Sequence, residues 1–204
     1  MNIQIFNQNQ IQLLPLVKHF KREFYLVGGT AIALHIGHRR SIDFDLFKFN
    51  SLQPKKITET ISKSKYSYHI TRRVTEQLNM DINGVKFTFF QFPFKIEAKE
   101  KLDDILRLPS LLDLAAMKAY ALGRRSKWKD YVDLYFIIQN YYTIYQISKR
   151  ASIIFGELFS EKLFRAQLSY FEDIDYSESV EFLMPSVSQD EIKNFLIHEA
   201  TRIL

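Results

Sequence analysis

The sequence lacks cysteine altogether, so disulfide bonds and thiolate metal sites are excluded and a reducing compartment fits. Glycine and proline are scarce, at six and five of 204 residues, which argues against long disordered segments. No apolar run approaches the roughly 20 residues of a membrane-spanning helix, and the N-terminus lacks the basic-then-apolar order of a signal peptide. These absences predict a cytoplasmic globular protein with no membrane association.

Aromatic and basic residues, in contrast, are plentiful. The 18 phenylalanines and 11 tyrosines can fill a substantial core for one large domain or two small ones. The net charge of +5 is unevenly divided, with +11 on residues 1–171 and −6 on residues 172–204. A basic body suits a polyanionic partner such as nucleotide or RNA. The acidic segment is a solvated face, a segment folded against the basic body, or a docking site for a partner.

Hydrophobic periodicity predicts an α/β (α+β) protein whose N-terminal part is mixed and whose C-terminal part is helical. We place the mixed α/β domain at residues 1–100 and the helical region at 101–204, although no flexible linker separates them. A short apolar run that ends at glycines predicts a buried strand at 24–29, and period-two alternation predicts a strand at 41–49 and a hairpin at 68–94. Asn83-Gly84 favours a tight two-residue turn in that hairpin.

Seven segments have helical periodicity: 8–22, 30–37, 54–63, 111–125, 129–142, 148–170 and 189–203. Gly37 is the expected C-terminal stop of the second of these helices. Ser110 and Asp113 have the spacing of a capping box for the fourth helix. Gly123, or the basic run after it, is expected to end that helix.

Two aspartates on the second predicted strand form the first candidate site. Asp43 and Asp45 are two residues apart, so they share one face with Cα atoms about 6.7 Å apart. Ile42, Phe44 and Leu46 take the opposite face and are expected to be buried. Paired carboxylates suit Mg²⁺, which commonly takes one or two of them and completes its shell with substrate phosphates. The alternative is a solvent-facing strand with two ordinary aspartates.

A glycine pair precedes the aspartates at the start of a predicted helix. Gly28 and Gly29 allow backbone N–H groups to approach a phosphate, and a helix N-terminus favours anions. Thr30 adds a hydroxyl donor. An ordinary tight turn would explain the glycines alone. A phosphate cradle followed by a carboxylate strand is a joint pattern, and it predicts a nucleotide site.

Gly28-Gly29, thirteen residues, and then Asp43-Phe44-Asp45-Leu46 resemble the signature of the DNA polymerase β nucleotidyltransferase superfamily. The fuller segment 28–47, GGTAIALHIGHRRSIDFDLF, resembles the AbiEii-type nucleotidyltransferase toxins of bacterial toxin–antitoxin and phage-defence systems. Residues 111–138 resemble the downstream motif of that family, a helical lysine followed by K-D-x-x-D-L. The resemblance implies a polymerase β-like core with a mixed sheet, followed by a helical half that completes the nucleotide site.

The resemblance also implies roles for single residues. The implied catalytic set is Ser41, Asp43, Asp45, Lys118 and Asp130, with Asp43 and Asp45 as ligands of two Mg²⁺ ions. The nucleotide-binding set is Gly28, Gly29, Thr30, Arg39, Lys118 and Asp133. Arg39 is a candidate triphosphate contact because guanidinium groups pair well with phosphate. A surface loop would explain that arginine equally well, and a solvent-facing helix would explain Lys118.

The implied reaction moves a nucleoside monophosphate from an NTP to an acceptor, with RNA and particularly the tRNA 3′ end as the expected acceptor. The implied role is that of a toxin restrained by a separately encoded antitoxin. The basic run 124–129, with Trp128 inside it, is a candidate RNA contact or a solvated loop. A small-molecule or protein acceptor is the enzymatic rival. The non-catalytic rival is a degenerate nucleotide- or RNA-binding protein of the same fold.

One position departs from the superfamily pattern, in which many members carry a third acid on a neighbouring strand. The natural place is the strand VKFTFFQF after the Asn83-Gly84 turn, and its middle residue is Thr88. Threonine is a poor metal ligand beside a carboxylate. Either two aspartates suffice, another acid such as Asp81 or Glu97 substitutes, or activity is reduced or lost.

Overall fold

The computed structural model describes residues 1–122 and 124–202, and it confirms the predicted mixed α/β class. The chain divides into two compact units, Met1–Ser110 and Leu111–Leu204. The first unit contains a seven-stranded mixed sheet with helices. Within its described residues, the second unit is built from helices.

Short strands build the sheet of the first unit: β1 (Tyr25–Val27), β2 (Phe44–Lys48), β3 (Tyr68–Arg73), β4 (Gln77–Ile82), β5 (Val85–Gln91), β6 (Glu100–Leu102) and β7 (Leu106–Leu108). Their order across the sheet is β3-β4-β5-β2-β1-β7-β6. β2 runs antiparallel to β1 and parallel to β5, while β1 runs parallel to β7. The candidate aspartates therefore lie near the centre of the sheet.

The second strand follows the predicted alternation, with one correction. Phe44 and Leu46 are fully buried, whereas Asp45 between them is only half-buried. Ile42 is 48% exposed, so its predicted burial is wrong. The reason is that β2 begins at Phe44, and the pleat that would turn residue 42 inward has not yet started.

Three helices belong to the first unit: α1 (Gln8–Lys18), α2 (Gly28–Ile36) and α3 (Pro54–Ser62). Gly37 ends α2 as predicted, because its φ of 79° is left-handed and its N–H donates to Ala33 O at 2.7 Å. The Asn83-Gly84 turn is also confirmed, with φ angles of 51° and 76°. The predicted hairpin holds a further turn between Val74 and Gln77, so it contributes three strands.

Residues 100–108 form two short strands joined by a turn, β6 and β7, rather than the start of the helical region. Leu106 and Leu108 of β7 are buried and Arg107 between them is exposed, a period-two pattern that a helix cannot bury. β7 pairs with β1 and extends the sheet. The prediction that helical structure begins near residue 101 is therefore wrong, and the first helix after the sheet begins at Leu111.

The second unit contains α4 (Leu111–Leu122), α5 (Trp128–Asn140), α6 (Ile144–Phe155), α7 (Glu161–Leu168) and α8 (Gln189–Thr201). The predicted helix 148–170 is interrupted at Gly156, whose φ of 56° starts a short 3-10 turn. The predicted stop at Gly123 lies outside the described residues. In the described part of the chain, no helix has both the length and the apolarity needed to cross a membrane.

Candidate active site

The glycine loop approaches Asp45 directly. Val27, the last residue of β1, pairs with Asp45 across the sheet, and Gly28 then turns with φ of 73°. A Cβ atom at Gly28 would collide with Asp45 Oδ2. A Cβ atom at Gly29 would lie 2.5 Å from Arg39 Nη2 and 3.2 Å from Ser41 Oγ. A side chain at Gly28 would collide with Asp45 as well as require a left-handed φ, whereas a side chain at Gly29 would require the end of the Arg39 side chain to move.

Alanine at Gly28 tests this close approach. The left-handed φ costs any L-residue about 1–2 kcal/mol, and at Gly28 the collision with Asp45 adds to that cost. Gly84→Ala is a matched control, since its φ is 76° and its Cβ would meet only Asn9 Nδ2 at 3.8 Å. We expect Gly28→Ala to lower the free energy of unfolding more than Gly84→Ala in urea titrations. Equal losses would contradict the contact with Asp45.

A buried hydroxyl pair fixes the loop that carries Asp43. Thr30 Oγ1 lies 2.5 Å from Asp43 O and 2.9 Å from Ser41 Oγ. A carbonyl oxygen only accepts, so the single hydroxyl hydrogen of Thr30 goes to Asp43, and Ser41 donates to Thr30. Both side chains thus hold the backbone at the aspartate. The predicted contacts of Thr30 and Ser41 with a nucleotide stay predictions.

Gln10 supports the same loop, although it is not among the predicted site residues. Its Nε2 donates to Ser41 O at 2.9 Å in a buried position. Its Oε1 accepts from the Asn7 N–H at 3.1 Å, and Asn7 Oδ1 accepts from the Gln10 N–H at 2.9 Å. This capping box at the start of α1 is readable from the spacing Asn7-x-x-Gln10. The bond to Ser41 is not, because it joins residues 31 positions apart.

Thr88 lies beside Asp45, as the sequence predicts. The two residues are partners in the parallel register of β2 and β5, so their side chains project to one face. Asp81, considered as a substitute acid, instead accepts a 2.9 Å bond from the Gly84 N–H at the hairpin turn. Glu97 pairs with Lys99 at 2.7 Å. Across residues 1–122 and 124–202, no group of three or more His, Asp or Glu side chains could hold a metal ion.

A buried ion-pair cluster lies in the second unit. Lys118 of α4 contacts Asp130 at 2.6 Å and Asp133 at 3.0 Å, and all three side chains are at most 4% exposed. Arg125 Nε donates to the other oxygen of Asp130 at 2.9 Å. Lys118 is thus buried rather than solvent-facing, and carboxylates of α5 supply the anions that this burial requires. Arg125, which the sequence analysis places in the basic run 124–129, is an additional member of this cluster.

The acidic segment contacts the second half of the candidate RNA contact at 124–129, while Arg124 and Arg125 stay exposed. Trp128 is 5% exposed, and its ring packs on Tyr131 and Tyr176. Lys127 and Lys129 both contact Glu178, at 2.6 and 3.2 Å. The prediction that Trp128 stacks on a base is therefore wrong, because burial against aromatic neighbours leaves its ring faces inaccessible. Here the acidic segment folds against basic residues, one of the three possibilities for it.

The Glu178 contact should make stability depend on pH. The hydrogen bond from Lys127, and then that from Lys129, lower the pKa of Glu178 from its ordinary 4.5 to about 2. Because the folded pKa lies below the unfolded one, the contribution is present above pH 4.5 and lost as the pH falls towards 2. We expect Glu178→Gln to unfold at lower urea than the wild type at neutral pH, with a smaller difference at about pH 3.

Glu172→Gln is the control for this pH dependence, since it removes an exposed carboxylate that forms no ion pair with the described residues. A deficit of Glu178→Gln that is the same at both pH values would contradict the role of its charge.

A comparison with models of protein families identifies the family of this chain. The model for the nucleotidyl transferase AbiEii toxins of type IV toxin–antitoxin systems matches residues 16–201. The chain belongs to the AbiEii family. Its resemblance to nucleotidyltransferase toxins is thereby confirmed over most of its length.

One relative and two solved structures are similar to this chain. An uncharacterized protein of Aquifex aeolicus is 34% identical over 126 residues, which cover 58% of this chain and 59% of the relative. MenT4, a nucleotidyltransferase toxin of Mycobacterium tuberculosis, superposes with a TM-score of 0.63 at 12% identity, covering 94% of this chain and 81% of MenT4. JHP933 of Helicobacter pylori gives 0.55 at 16% identity, covering 98% and 91%. At these identities the two structures establish the nucleotidyltransferase fold.

Proposed function

We propose that this AbiEii protein transfers a nucleoside monophosphate from an NTP to RNA, and that it acts as the toxin of a toxin–antitoxin system. The observation that carries the proposal is the convergence of the Gly28–Gly29 turn on Asp45. A backbone loop at a helix N-terminus is suited to the triphosphate, and the adjoining carboxylates are suited to its cations. The overall charge of +5 supports a polyanionic acceptor.

The donor set at the aspartates fits Mg²⁺. Asp43 and Asp45 offer carboxylate oxygens two positions apart in the chain, and Asp45 Oδ2 lies against the glycine turn. Mg²⁺ commonly binds one or two carboxylates and takes substrate phosphates as further ligands. Asp43 and Asp45 would hold the ion, and its charge would offset that of the triphosphate and the leaving pyrophosphate.

The residues of the first unit then have distinct roles. Backbone N–H groups at Gly28 and Gly29 bind phosphate oxygens, and Arg39 adds positive charge where its Nη2 approaches Gly29. The hydroxyl pair of Thr30 and Ser41 keeps the Asp43 backbone in place. An acceptor hydroxyl attacks the α-phosphorus, its proton is lost to solvent, and pyrophosphate leaves. Positioning of this kind supplies most of the catalysis in phosphoryl-type transfers.

The roles proposed for residues of the second unit rest on the family resemblance alone. Lys118 is the proposed phosphate ligand, while Asp130 and Asp133 hold its ammonium in a defined position. The proposed antitoxin follows from the family description, which names a type IV toxin–antitoxin system.

Release of pyrophosphate tests the proposal. The full chain is incubated with Mg²⁺ and each NTP in turn, with and without total tRNA. We expect one or more NTPs to give pyrophosphate release that depends on tRNA. Pyrophosphate release that does not depend on RNA would contradict the RNA acceptor. No release with any NTP would contradict the transferase activity.

A second candidate is a protein that binds nucleotide or RNA without turnover, and the position of Thr88 favours it. Because Thr88 pairs with Asp45, the site has two aspartates where many superfamily members have three acids. This candidate predicts NTP binding by equilibrium dialysis, no transfer by the wild type, and transfer by Thr88→Asp. Transfer by the wild type excludes it.

A further inference from the structure

An open cavity of about 330 Å³ lies in the first unit, at the opposite end of β1 and β2 from the glycine turn. Its wall includes Arg22, Glu23, Tyr25, Lys48, Phe49 and Arg107. Tyr25 pairs with both Phe47 and Arg107, and Phe47 is two residues from Asp45 on β2. The side chains of Tyr25, Phe47 and Arg107 therefore project to the same face of the sheet as that of Asp45. The volume is at the low end of the roughly 300–1,000 Å³ of small-ligand pockets, which exceeds the need of a single ion.

The wall is positively charged. The Glu23 carboxylate is neutralised by Lys48 at 2.9 Å and by Lys56. Arg22 and Arg107 are exposed, and neither forms an ion pair with any residue that the structure describes. Two guanidinium groups with no carboxylate partner thus border a cavity whose carboxylate is already compensated. This arrangement selects for an anion.

Tyr25 adds a donor that lacks an acceptor. The residue is 6% exposed, and its buried hydroxyl forms no hydrogen bond with the described residues. A buried hydroxyl without a partner is unfavourable, so an acceptor oxygen placed in the cavity would be stabilised. Burial also raises the pKa of Tyr25, which keeps the hydroxyl protonated and able to donate.

An aromatic ring lies at the rim. Phe49 is 45% exposed, and Lys95 Nζ lies 5.7 Å from the centre of its ring. Exposed aromatic faces next to basic side chains are the recurrent platform on which proteins stack the bases of single-stranded nucleic acids.

We propose that this cavity binds one nucleotide of single-stranded RNA. The backbone phosphate lies between Arg22 and Arg107 and accepts a hydrogen bond from the Tyr25 hydroxyl, while the base stacks on Phe49. The inference rests on the proposed function, in which the RNA acceptor presents its terminal hydroxyl at the aspartates. Asp45 and Lys48 are about 10 Å apart along β2, a distance that a short stretch of single strand spans.

Fluorescence anisotropy with a short fluorescein-labelled single-stranded RNA tests the cavity, without NTP or Mg²⁺. We expect Arg22→Ala/Arg107→Ala to bind about tenfold more weakly and to lower the slope of log affinity against log salt by about 0.7, the value for one phosphate of a single strand. The control Arg72→Ala/Arg73→Ala removes the same charge from β3 at the far edge of the sheet. It should leave the slope unchanged.

Tyr25→Phe separates binding from stability. The variant should bind the RNA severalfold more weakly and yet be at least as stable as the wild type, because it deletes a hydroxyl without a partner. Unchanged RNA affinity in Tyr25→Phe would show that the Tyr25 hydroxyl does not bind the RNA, and it would overturn the inference. Phe49→Leu keeps apolar bulk but removes the stacking face, and it should also weaken binding.

Other outcomes overturn the inference as well. These are equal salt slopes in the cavity variant and its control, or competition by poly-glutamate as effective as that by unlabelled RNA, which would indicate an acidic protein partner.

Transfer assays distinguish this inference from the proposed function. Wild-type transfer with an unchanged KM for RNA in Arg22→Ala/Arg107→Ala would contradict the cavity alone. RNA binding that needs the cavity, together with no transfer, would contradict the proposed reaction alone.

Discussion

Replacement of Asp45 by asparagine is expected to reduce NMP transfer by at least about a hundredfold while the protein stays folded. Asparagine keeps the size and shape of the side chain but loses the charge that would hold the cation of the incoming triphosphate. Asp45 is half-buried, and its Oδ2 lies close to Gly28. An amide of the same shape should therefore fit without disturbing the turn. Initial rates of label transfer, with circular dichroism as the check on folding, measure the effect.

Asp104→Asn is the matched control for Asp45. Asp104 belongs to the same unit, its side chain is 74% exposed, and it pairs with Lys18 and Lys21 away from the glycine turn. The control should transfer at close to the wild-type rate. A rate for Asp45→Asn within a few-fold of that control would show that the paired carboxylates do not carry the reaction.

Replacement of Lys118 by methionine is expected to have the largest effect on stability, about 3–5 kcal/mol. The change removes the cation that contacts both Asp130 and Asp133, whose side chains are at most 3% exposed. Methionine has a similar length and is apolar, so the loss measures uncompensated charge rather than a cavity. Urea unfolding of the full chain gives the free energy of unfolding.

A compensated variant provides the control for Lys118. Lys118→Met combined with Asp130→Asn and Asp133→Asn removes the cation and both charges together, and it should recover much of the lost stability. A triple variant that is less stable than Lys118→Met would contradict the electrostatic explanation. Transfer should stay low in both variants if Lys118 also contacts phosphate.

The sequence predicts those parts of the site that depend on local geometry. Gly28 and Gly29 are recognisable because a strand, a turn and a helix follow one another within a few residues. The position of Thr88 beside Asp45 is predicted by the resemblance to the superfamily, many of whose members carry a third acid on a neighbouring strand. In each case the deciding interactions are backbone pairings with strong periodic signals.

The contacts that escape prediction join distant segments through single side chains. Gln10 reaches Ser41, 31 positions away, in a bond that depends on how helices and loops pack. Strands β6 and β7 have three residues each, too few to establish a period. The cavity beside Tyr25 could not be predicted from the sequence either, because its wall is assembled from four separate stretches of the chain. Packing, rather than local pattern, determines these features.

The most direct test of the central claim is transfer of an α-phosphate label from NTP to RNA. The full chain, Mg²⁺, each α-labelled NTP and total tRNA are incubated together, and the RNA is resolved on a denaturing gel. The account predicts label at the RNA 3′ end with wild-type protein and loss of that label with Asp43→Asn and with Asp45→Asn. Labelled RNA at equal levels in all three proteins, or NTP binding with no labelled RNA from any NTP, would contradict it.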